Sequence, residues 1–173
     1  MKRLTLGFVI LALALTQSGQ ADPVRGRHPR APQRAAAVHH FDRNSFAVAN
    51  RNVIRVRHDR AWWVARFPHT RFVLFGGGYF YWWGGYWYPA FGYDPYYSTY
   101  AYDGPIYGYN NYAPGQVIEN VQMALRDQGY YRGAIDGLIG PQTRAALARY
   151  QQSHGLVVTY AVDEPTLVTL GLA

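Results

Sequence analysis

Cysteine is absent from all 173 residues. That excludes disulfides, a lipid-modified cysteine and a thiol nucleophile, so any fold must be held by packing alone. Acids are few: ten Asp and Glu stand against 17 Lys and Arg, a formal net charge of +7. The only glutamates are Glu119 and Glu164, and beyond Ser18 the serines are Ser45, Ser98 and Ser153, none in a Gly-x-Ser-x-Gly elbow. Glycosidase chemistry needs paired carboxylates in one cleft, and a zinc hydrolase needs several His and acidic ligands. Of the histidines before residue 113, His28, His39 and His40 fall in an arm without apolar pattern, while His58 precedes Asp59 at a helix start, leaving His69 alone. No metal site, cofactor or catalytic residue is expected, and the chain reads as a non-enzyme.

Long hydrophobic runs are also missing. The longest, Leu4–Thr16, ends at Gln17, short of the roughly 20 residues a membrane span requires. Lys2 and Arg3 before it, with Gly19 and Ala21 after it, give residues 1–21 the form of a secretory signal. Export to the periplasm or cell envelope is therefore expected, a retained membrane anchor being the alternative. Positive charge is concentrated next: residues 22–75 hold eleven Arg against Asp22, Asp42 and Asp59, a balance of +8. Such a segment attracts polyanions. In an exported protein these are an anionic envelope polymer or a membrane surface, not nucleic acid; a merely solvating arm is the plainer reading. Residues 22–45, with Pro23, Pro29 and Pro32, read as a disordered basic linker.

What is abundant is aromatic. Residues 46–112 turn abruptly to Tyr, Trp, Phe and Gly. Asn52–Arg57 has the pattern of a short strand. Asp59 is placed to cap a short helix through Arg66, with Trp62, Trp63 and Val64 as its apolar face. Arg71–Phe75, Tyr79–Trp83 and Tyr86–Tyr88 are β-favouring runs separated by Gly76-Gly77-Gly78 and Gly84-Gly85, which suits a three-stranded meander with tight turns. Pro89–Tyr112 has no period and reads as irregular aromatic coil. The strands are apolar on both faces, unlike a one-sided sheet. Either the coil folds over the second face, or an aromatic face is left in water as an interaction surface.

From residue 113 the pattern becomes helical. Val117, Val121, Ala124 and Leu125 form one stripe, and Gly129 is placed to end that helix. Asp136-Gly137-x-x-Gly140-Pro141 forms a tight loop into a second helix, with Pro141 in its first turn. Thr143, Ala146, Leu147 and Tyr150 form its inner face to about His154. Asp163 caps a short third helix, Glu164–Leu170, with Leu167 and Leu170 inward. The spaced set Val121-Gln122, Leu125, Gly129-Tyr130, Gly133, Asp136-Gly137, Gly140-Pro141, Thr143, Ala146-Leu147, Tyr150-Gln151 and Gly155-Leu156 resembles the type 1 peptidoglycan-binding domain over about residues 113–172. It departs at Tyr160, where related modules often carry glycine.

The fold expected is thus α+β: a C-terminal three-helix module able to fold by itself over residues 113–173, preceded by the aromatic β-meander and coil. The resemblance implies non-covalent attachment to peptidoglycan without a reaction. Tyr130, Tyr131, Asp136, Arg144 and Gln151 are the candidate ligand contacts, and Gly129, Gly137, Gly140 and Pro141 the structural loop residues. For Asp136, bonding its own loop is the stronger alternative; Arg144 and Arg149 are equally well solvated surface, and Tyr150 is core. A second reading makes the aromatic, arginine-bearing half the working part, self-associating or binding polyanions, with the module only a tether. The oligomeric state is open.

Overall fold

The computed structural model describes residues 45–173; the expected signal (1–21) and nearly all of the expected basic linker (22–45) lie outside them. Two short helices come first, α1 (Ser45–Arg51) and α2 (Arg60–Arg66), followed by β1 (Phe72–Phe75), β2 (Gly78–Trp83), β3 (Tyr86–Pro89) and β4 (Ile106–Tyr107). Three helices end the chain: α3 (Pro114–Asp127), α4 (Pro141–Ser153) and α5 (Glu164–Thr169). No helix among the described residues is long and apolar enough to cross a membrane.

The strands make one antiparallel sheet in the order β1-β2-β3-β4. Gly76-Gly77 and Gly84-Gly85 form its two hairpin turns, all four at positive φ (54°, 83°, 57° and 84°). A two-residue hairpin loop whose twist matches the strands needs that conformation, which glycine adopts freely. Gly78 belongs to β2 instead, pairing with Phe75, and the Tyr100 ring occupies the place a Cβ would take.

The meander expectation holds, with a fourth strand added from the segment read as coil. α1 is likewise new, and Asn52–Arg57 is not a strand but a connector between two helices. α2 starts as expected: the Asp59 side chain accepts from Trp62 N–H at 2.8 Å. Its inward residue is Trp63, whereas Val64 is 48% exposed.

Both sheet faces are packed against other elements, and of the strand residues only Leu74 and Trp83 are exposed. Alternate residues of each strand enter two different cores. Phe72, Tyr81, Tyr86 and Tyr88 pack with Trp63 and Tyr93, under α1, α2 and part of the coil. Phe75, Phe80 and Trp87 join Tyr102 and Ile106 from the coil and β4, and then Val117, Val121, Leu125, Leu147 and Leu167 of the C-terminal helices. The three helices themselves cover the second face. The expected boundary at 112/113 therefore cuts through one continuous core. Backbone pairing crosses it too: Tyr107 N–H donates to Val162 O at 2.9 Å.

Candidate functional site

Two buried glutamines organise the C-terminal module. Gln122 of α3 accepts from the Asp136 and Gly137 N–H groups, both at 3.0 Å. Its amide donates toward Asp136 Oδ1 at 2.7 Å, Leu138 O at 3.1 Å and Thr143 Oγ1 at 3.1 Å. Gln151 of α4 repeats the arrangement on the next loop. It accepts from Thr159 N–H at 3.0 Å and Tyr160 N–H at 3.1 Å, and donates to Thr159 Oγ1, Ala161 O and Thr166 Oγ1. Each glutamine thus fixes the loop leading into the following helix, so that loop's backbone needs no water.

This quasi-repeat pairs Gly137 with Tyr160. Both N–H groups bond a glutamine carbonyl, and both residues are left-handed, at φ 69° and 59°. The departure from glycine at Tyr160 has not changed the turn. Tyrosine has been held in a conformation glycine adopts more cheaply, with its side chain 54% exposed.

A groove of about 550 Å³ opens between the 129–133 loop and one side of α4. Tyr130, Arg132, Gln142, Ala145 and Arg149 line it. The Tyr130 hydroxyl bonds Ser153 Oγ at 2.8 Å, its ring meets Tyr150 edge-on at 5.2 Å, and its carbonyl accepts from Arg149 Nη2 at 2.8 Å. The loop is thereby tied to α4. Gly129, at φ 81°, ends α3 and starts this loop, and a Cβ at Gly133 would run into the buried Tyr131 hydroxyl and ring. The groove offers amide and guanidinium donors beside an aromatic ring, suited to hydroxyls, amides and carboxylates.

Of the five residues expected to contact ligand, Tyr130 borders this groove as a part-exposed group. Tyr131 also lines the groove, but it is 4% exposed and its hydroxyl donates inward to Ala134 O at 2.7 Å. Gln151 corrects the expectation, being fully buried with its amide occupied by the loop before α5. Asp136 is exposed, but Oδ1 also accepts from Leu138 N–H at 2.9 Å. These bonds, the Gln122 amide first, hold its carboxyl below the usual range. It fixes its own loop. Arg144 is exposed and does not line the groove; burial pushes the neighbouring Tyr102 phenol up, and the Arg144 charge offsets only part of that. Arg132 and Gln142 were not among the residues expected to contact ligand. For Gln142 a signal existed: Gln142, Ala145 and Arg149 recur at helical spacing, on a side of α4 flanking the core stripe.

Among the described residues no group of three or more His, Asp or Glu is arranged to hold a metal ion. A compact helical unit with loops fixed from inside and an open polar groove has the form of a ligand-binding module. Residues 114–170 match the family described as "Putative peptidoglycan binding domain", and this C-terminal segment carries that domain. The chain is similar to the "Putative OxPP cycle protein OpcA" of Nostoc punctiforme, 42% identical over 52 residues, 30% of this chain and 11% of that protein. It is also similar to the localization factor PodJL of Caulobacter vibrioides, 43% identical over 51 residues, 30% of this chain and 5% of that one. A third relative is the N-acetylmuramoyl-L-alanine amidase CwlM of Mycobacterium tuberculosis, 38% identical over 56 residues, 32% of this chain and 14% of the amidase. The chain thus matches only a small part of each. No solved structure matches it.

Proposed function

We propose that this is an exported, non-enzymatic cell-envelope protein that binds peptidoglycan non-covalently through the groove beside α4. The observation that carries the reading is the pairing of the family match at residues 114–170 with that groove, where Tyr130, Arg132, Gln142 and Arg149 converge. Peptidoglycan offers sugar hydroxyls, amides and stem-peptide carboxylates; the two arginines and the Gln142 amide complement these, and a shallow groove accepts a repeating polymer. One such site binds weakly, and an array of wall repeats raises avidity. The likeness to an amidase supports wall attachment alone, because it lies in the binding segment. Export rests on the signal form of residues 1–21.

The test is co-sedimentation of residues 22–173 with insoluble, purified peptidoglycan. The folded protein should pellet with the wall, and substitution of Gln142 and Arg149 should return it to the supernatant. A folded wild-type chain that stays in the supernatant sinks the proposal.

A second reading is supported by the arginines. Arg51, Arg55, Arg57, Arg60, Arg66 and Arg71 are all exposed, and among the described residues Arg55 alone of these has a carboxylate partner, Asp103 at 3.9 Å. This half would then attach to an anionic polymer or membrane surface. Salt separates the two: arginine-driven attachment falls steeply with ionic strength, whereas groove binding by a near-neutral module changes little.

A further inference from the structure

The sheet face turned away from the C-terminal helices holds a second concavity, of about 510 Å³, between α2, the turn after it and the tip of the β2–β3 hairpin. Its wall combines three elements. Trp83 stands at the hairpin tip with 48% of its surface exposed, although the neighbouring strand aromatics are buried. Tyr81, 1% exposed, belongs to the wall. Arg66, exposed at the end of α2, lies over the Phe67 ring at 5.1 Å, and among the described residues it has no carboxylate within ion-pair distance. Asn52, His69 and Thr70 complete the polar part, and among the described residues no acid lines the cavity.

The turn supporting it is strained. His69 sits at φ 66°, a left-handed conformation that non-glycine residues seldom adopt. The Thr70 hydroxyl, donating to Trp82 O, ties that turn to the hairpin strand. Such outliers persist only where the surroundings enforce them, and they cluster at binding sites.

We propose that this cavity binds a carboxylate-bearing pyranose sugar. The exposed indole offers a flat, electron-rich face to the C–H side of a sugar ring. A guanidinium is the side chain best matched to a planar carboxylate, with two parallel hydrogen bonds. Asn52 and His69 bond the ring hydroxyls. The absence of acid in the lining favours an anionic ligand over a neutral one. The site lies on the opposite sheet face from the α4 groove and does not depend on the function proposed for it. Two polymers supply this chemistry: murein, through its lactyl sugar, and uronic-acid polysaccharides.

The experiment titrates residues 22–173, followed by tryptophan fluorescence, with N-acetylmuramic acid, galacturonic acid and N-acetylglucosamine. Saturable change with either acidic sugar, at least ten-fold stronger than with N-acetylglucosamine, is expected. The preferred acid identifies the source, murein for N-acetylmuramic acid and a uronate polymer for galacturonic acid. R66Q and W83A, both at exposed positions, should each weaken that binding at least ten-fold with unchanged melting curves, and R126Q on α3 should leave it unaltered. No saturable change, equal response to the neutral sugar, or undiminished binding by folded R66Q and W83A overturns the proposal. Sedimentation with whole peptidoglycan reads the α4 groove separately, so either proposal can fail alone.

Discussion

Replacing Gln122 with leucine tests most sharply the claim that buried amides, not surface contacts, hold the module's loops. Leucine fills nearly the same volume on α3 but can neither accept from the Asp136 and Gly137 N–H groups nor donate to Asp136, Leu138 O and Thr143. A buried amide left without an acceptor costs roughly 1–3 kcal/mol. The Gly137 bond is buried and the Asp136 bond only partly so, which places the total at about 3–4 kcal/mol. Small domains are stable by only about 5–15 kcal/mol, and for a chain of this size the loss lowers the melting temperature by about 10 °C. Urea unfolding followed by tryptophan fluorescence measures it. Gln142→Leu supplies the control: the same chemical change at an exposed position should stay within about 0.5 kcal/mol while abolishing wall sedimentation. Gln122→Leu unfolding within about 0.5 kcal/mol of wild type would refute the reasoning.

Acid should weaken the same loop. The Gln122 amide and the Leu138 N–H hold the folded Asp136 pKa below its ordinary value. A depressed folded pKa stabilises fully above the unfolded value of about 3.9 and is lost as pH falls through the folded value. Stability should thus decline below about pH 4, and Asp136→Asn should flatten that part of a pH–melting curve. Tyr160→Gly should stabilise by up to about 1 kcal/mol, since relief of the left-handed strain exceeds the entropy glycine gains in the unfolded chain; a lower melting temperature contradicts this. Trp63→Ala, which empties the fully buried centre under α2, should cost about 3–5 kcal/mol in denaturant unfolding. Residues 113–173 alone should melt below the whole chain in circular dichroism, because Phe80, Trp87 and Ile106 are then missing from their core.

Much of the architecture was legible because local chemistry decides it. Pro141 and Asp163 mark helix starts, Gly129 a helix end, and the paired glycines the hairpins, each through a backbone conformation that few residues supply. β4 was not legible: Ile106–Tyr107 is two residues long, and its partners Tyr86 and Trp87 lie far back in the chain. α1 was hidden for a related reason, since seven residues give under two helical turns and its arginine blended with the basic stretch before it. Asn52–Arg57 looks like a strand by its Ile54-Arg55-Val56-Arg57 alternation, but that pattern cannot say whether a neighbouring strand is available. Tyr131 and Gln151 were assigned to the surface on chemical type. Burial depends on what packs over a residue, and a glutamine with every hydrogen bond made inside is as much a core residue as a leucine. The two-sided apolarity of the sheet was visible as a puzzle; its answer lay in the helical module, which the sequence reading treated as a separate body.

The most direct measurement of the central claim is a backbone amide NMR titration of residues 22–173 with a soluble muropeptide carrying its stem carboxylates. Shifts at Gly129–Gly133 and at Gln142, Ala145 and Arg149 are the predicted result. Saturation of binding with those amides unmoved would contradict the assignment of peptidoglycan to the α4 groove.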